Sequence, residues 1–101
     1  MGWGDRVLEG FVPEYLGKIS LDDCVDYIET GKDLLASVSE ANWVLLRKIA
    51  RASKIEINTR QIMESLEKHR PDVLSIIINH PQGQDWLDRQ VVNCREKLDM
   101  E

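Results

Sequence analysis

The sequence predicts an all-α protein: a compact orthogonal bundle of five or six short helices in one domain spanning residues 1–101. Three observations carry this. Apolar residues recur at three- and four-residue spacing along most of the chain. Strand-like alternation is almost absent, the short candidates being Ile55–Ile57 and Val73–Ile78. Gly and Pro are scattered rather than gathered in tracts, so they act as punctuation and leave no linker or internal repeat.

The elements follow in order. Residues 1–4 read as a loose terminus, with Trp3 between two glycines ahead of any helix. Val7, Leu8, Phe11, Val12, Tyr15, Leu16 and Ile19 keep helical spacing. Pro13 lacks an amide hydrogen and crowds the preceding turn, which predicts two short helices meeting there. Ser20 caps a helix over 21–36, with Leu21, Cys24, Val25, Ile28 and Leu35 inward. Ser39 caps the next, about 40–54, built on Trp43, Leu45, Leu46, Ile49, Ala50 and Ala52. Asn58 or Thr59 caps a helix over about 60–70 that buries Ile62, Met63 and Leu66. Pro71 suits the first turn of a helix over about 72–79. Its apolar residues lie on most sides, so it reads as the most buried element, with a buried strand as the alternative. Pro81 and Gly83 interrupt the chain before a last helix, about 84–99, carrying Trp86, Leu87, Val91, Cys94 and Leu98.

A chain of 101 residues closes one core without staples, since dependence on disulfides or metals is usual below ~40 residues. Cys24 and Cys94 form no CxxC pair and no ligand cluster with His69 or His80. Both fall on apolar faces, where a free thiol packs as a small hydrophobe. Sparse cysteine, no signal-peptide pattern and no apolar run near the ~20 residues of a membrane span predict a soluble cytoplasmic protein. No nucleophile–base pair, Gly-rich phosphate cradle or metal-ligand cluster is present. A non-enzymatic protein without a cofactor is expected.

The charges are sorted. Residues 47–70 hold seven Lys/Arg against three acids, an excess of +4, whereas the rest holds six bases and fifteen acids, an excess of −9. Arg47, Arg51 and Lys54 are spaced to share one helix face, with Lys48 beside them, and no acid lies between Glu40 and Glu56. With Arg60 they form the candidate docking site for an anionic partner. Asp22, Asp26, Glu29 and Asp33 form a second candidate, for a basic protein or a symmetry mate. Like charges at this spacing repel by ~0.2–0.5 kcal/mol per pair, although the helix dipole favours Asp22 and Asp23 in the first turn. The expected function is a small interaction or adaptor domain that binds another protein through charged helix faces, with a homodimer as one form.

A second reading rests on residues 45–66. Leu45, Leu46, Ile49, Ala52, Ile55, Ile57 and Ile62 take apolar positions, and Asn58, Thr59, Arg60, Gln61 and Glu64 stand at the start of the second helix. This resembles a helix-turn-helix, which implies DNA or RNA binding and a regulatory role. It departs from the pattern at Glu56, where Gly is usual, and at Ser65, where an apolar residue is usual.

Overall fold

A computed structural model describes residues 3–53 and 57–100. These hold six helices and no strand: α1 (Trp3–Gly17), α2 (Leu21–Thr30), α3 (Glu40–Ser53), α4 (Thr59–His69), α5 (Pro71–Asn79) and α6 (Gly83–Asp99). The expected all-α class holds, and residues 71–79 are helix rather than strand.

Capping explains most boundaries. The Ser20 hydroxyl accepts the Asp23 amide at 3.1 Å, and the Asn58 carboxamide accepts that of Gln61 at 2.9 Å. Ser39 does the same for Asn42 at 3.3 Å. Pro71 occupies the first turn of α5, where its missing donor costs nothing.

Three boundaries differ from expectation. Trp3 and Gly4, expected in a loose terminus, already belong to α1. Pro13 does not divide the first segment: α1 runs through it. Val12 and Leu16, on either side of it, are fully buried, so packing holds both turns in one line. The helix over 21–36 stops at Thr30. Gly31 turns left-handed at φ 67°, its amide bonds the Ile28 carbonyl, and the Lys32 amide bonds that of Tyr27. This Schellman closure releases residues 31–38 as an irregular segment that still buries Leu34, Leu35 and Val38.

The helices surround one continuous core. α5 lies against α2, α4 and α6; α1 packs on α3 and α4; α3 also packs on α6. Phe11 sits edge-on to Tyr15 at 5.3 Å and to Trp43 at 5.6 Å, tying α1 to α3. α5 is less enclosed than its composition suggests. Val73 and Ile77 are fully buried, but Ile78 is 55% exposed because α2, α4 and α6 leave its side open.

The irregular segment is anchored to α6 by polar contacts. The Trp86 indole donates to the Lys32 carbonyl at 2.9 Å, and the Leu34 amide donates to the Gln90 carboxamide oxygen at 2.7 Å. Gln90 is itself buried and donates back to the Trp86 carbonyl at 3.2 Å, so its amide is satisfied at both ends. Gly83 begins α6 against the end of α5, where any Cβ would collide with the Ile77 carbonyl.

Candidate functional site: the outer faces of α2 and α3

Bases from the 47–70 region divide into two groups, and burial makes the division. Arg47 is 6% exposed. Its Nε donates to the Lys97 carbonyl at 2.7 Å, Nη1 to Glu40 Oε1 at 2.8 Å and Nη2 to Met100 Sδ at 3.8 Å. Arg47 lies one turn beyond Trp43 on the side of α3 that packs inward, so the guanidinium is spent on the end of α6 rather than offered to a partner. Glu40 is held below the usual carboxylate range by its hydrogen bond to Arg47. Arg70 acts similarly. Nη1 donates to the Gly17 carbonyl at 2.6 Å, and Nε and Nη2 grip both oxygens of Asp72 at 3.0 and 3.1 Å. That grip lowers the Asp72 pKa and raises that of Arg70. Arg95 repeats the pattern from α6, donating to the Ile57 carbonyl at 2.6 Å. Arginines here satisfy carbonyls at or beside helix ends that have no partner within the helix.

The other group is exposed. Lys48 and Arg51 stand on the outside of α3, Arg51 reaching the Met100 carbonyl at 3.4 Å. Arg60 pairs with Glu64 one turn along at 3.3 Å, a surface bridge that adds little stability. Lys54 falls outside the described residues. The centre of the outer face of α3 is not basic but apolar: Val44 and Leu45 are 43% and 57% exposed, beside Ala41, Lys48 and Ala52. The sequence groups Leu45 with Trp43 and Leu46, but adjacent helical residues point about 100° apart, and Leu45 takes the outer side.

On α2, Asp22, Asp26 and Glu29 remain together on an exposed face with Leu21, which is 42% exposed. None of these three acids makes an ion pair among the described residues. Asp33 leaves the stripe because α2 ends at Thr30; its carboxylate instead accepts the Leu35 amide at 3.0 Å and shapes the 31–38 segment.

A helix-turn-helix packs its two helices against each other, here α3 and α4. Among the described residues α3 packs on α1 and α6, α4 packs on α1, α5 and α6, and little joins α3 to α4 directly. Ile55 and Glu56, in its turn, fall outside the described residues. Asn58 is occupied as a cap, and the Thr59 hydroxyl donates to Asp88 at 2.9 Å, placing an acid beside the start of α4. Such an acid opposes a phosphate there.

Trp3 opens α1, but its side chain lies outside the described ones. His69 is exposed at the end of α4, and His80 accepts the Gln82 amide at 3.0 Å. Both thiols are buried and free. Desolvation raises the Cys24 pKa and pushes that of Cys94 up to about 11, with Asp33 adding to the latter. Among the described residues, no three His, Cys, Asp or Glu side chains are placed to hold a metal ion. No helix among them is long and apolar enough to cross a membrane. A half-open groove of about 360 Å³ lies between the 31–38 segment, α3 and α6, lined by Leu35, Val38, Trp43, Cys94, Lys97 and Met100 among others. Compared with known protein families, curated proteins and solved structures, the chain matches none.

Proposed function

We propose that this chain is a non-enzymatic interaction domain that docks another protein through the outer face of α3, working in a reducing compartment such as the cytoplasm. One observation carries the reading: Val44 and Leu45 are exposed together beside Lys48 and Arg51. A merely solvated helix face is polar across its centre, whereas this one is apolar at the centre and basic at the edge. That is the anatomy of a small docking patch, in which apolar anchors supply affinity and rim charges supply orientation and on-rate. The two free buried cysteines support the choice of compartment.

The test is capture of protein partners from nuclease-treated native lysate by wild type and by Leu45→Ser/Lys48→Glu. Both positions are exposed, so the fold should persist. The variant should lose captured partner by ~10-fold or more, the scale of an interface anchor. Equal capture by both would overturn the assignment to α3. In parallel, gel shift with duplex and single-stranded probes at ~50 mM salt should show no complex, whereas a strongly salt-dependent shift would favour nucleic acid.

A further inference from the structure

We propose that the partner fitted to the α3 face is a second copy of this chain, which docks through its α2 face; this rests on reading α3 as a protein-docking surface. The two faces are matched halves. α3 presents Val44 and Leu45 with Lys48 and Arg51, and α2 presents Leu21 with Asp22, Asp26 and Glu29. Each has an exposed leucine beside charges of one sign, and the signs are opposite. Their lengths agree, since Val44–Arg51 and Leu21–Glu29 each span ~10–12 Å at helical rise.

The faces do not neutralise one another within one molecule. α2 packs on α5, α3 packs on α1 and α6, and no ion pair among the described residues joins α2 to α3. The acids of α2 stand at repelling intervals and make no ion pair among the described residues, a cost that a neighbouring copy's Lys48 and Arg51 would relieve. Because the two surfaces differ, the contact is heterologous: α3 of one copy meets α2 of the next. Each pair so formed leaves one α3 and one α2 face unused, and association continues unless a ring closes. Charge matching at the surface is screened by salt, with a Debye length of ~30 Å at 0.01 M and ~3 Å at 1 M, so the assembly weakens as salt rises.

Light scattering and sedimentation over a concentration series test this, with wild type, an α3 variant (Leu45→Ser/Lys48→Glu) and an α2 variant (Leu21→Ser/Asp26→Lys). Circular dichroism checks that each variant is folded. Wild type should grow in mass with concentration at low salt and return toward monomer at ~0.5 M salt, where screening is strong. Each variant alone should remain monomeric. An equimolar mixture should form one-to-one pairs, because the first retains α2 and the second retains α3. A wild type monomeric at every salt and concentration would overturn the self-docking proposal, as would variants that still associate singly or fail to pair when mixed. If wild type is monomeric but the α3 variant still loses its lysate partner, self-docking falls and the α3 docking surface stands.

Discussion

At the scale of single residues, Arg47 shows how one side chain can serve a different purpose from its neighbour in a stripe. Its guanidinium reaches a carbonyl of the last turn of α6, a carboxylate at the start of α3 and the Met100 sulfur, and it is almost fully enclosed. Hydrogen bonds made by a charged, buried donor are worth ~1.5–3 kcal/mol, so Arg47→Ala is expected to lower unfolding stability by ~2–3 kcal/mol in a denaturant titration. Arg47→Lys should recover part of this, since an ammonium keeps the charge but not the fork. Lys48→Ala, one residue on, should change stability by less than ~0.5 kcal/mol. The cysteines give a second residue-scale prediction. Burial holds both as thiols, so neither should react with an aromatic disulfide reagent in the native protein at neutral pH, and both should react once it is unfolded. For Cys94 the sign is clear. Its native pKa is raised from 9.0 to about 11, so the native state holds its proton longer than the unfolded chain. Its contribution is therefore intact below pH 9 and is lost as pH rises toward 11, which thermal melts across that range should register as a falling midpoint.

At the scale of the helix, the terminators matter most. Gly31 closes α2 in the left-handed region, which costs a residue with a Cβ ~1–2 kcal/mol, so Gly31→Ala should destabilise by about that amount. Asn58→Ala removes the cap of α4 and should cost ~1 kcal/mol. Gly83→Ala should be at least as damaging as a typical overpacked core, ~1–3 kcal/mol, because its Cβ meets backbone that cannot swing aside. Chemical denaturation of the three variants against wild type measures all of these. α1 shows the opposite lesson. Pro13 has the local chemistry of a break, yet burial of Val12 and Leu16 keeps the helix whole.

At the scale of the whole molecule, six helices form one core with a radius of gyration of 13.3 Å, as expected for a folded domain of this length. Asp72 and Glu40 both have lowered pKa values through their arginines. Their contribution is present above the ordinary carboxylate range and disappears as pH falls through their native pKa values. Melting midpoints should decline in acid, and Asp72→Asn should flatten part of that decline; an unchanged slope would show that the Arg70 grip contributes nothing to folding.

Much of the fold was legible in the sequence because the deciding interactions are local. Ser20, Ser39, Asn58 and Pro71 act within a turn of where they stand, and the three- and four-residue apolar spacing needs no partner to be recognised. The acidic face of α2 was legible for the same reason, up to the point where Gly31 ends the helix and removes Asp33 from it. What only the tertiary structure decided is which side of α3 faces out. Spacing groups Arg47 with Arg51 and Lys54, but the positions of α1 and α6 turn Arg47 inward and Leu45 outward. Buried Gln90 and the clasp of Arg70 on Gly17 were likewise invisible, since each joins residues more than fifty positions apart. Helical periodicity is a property of neighbours in the chain; the direction of a face is a property of what other helices cover, and no local pattern contains it.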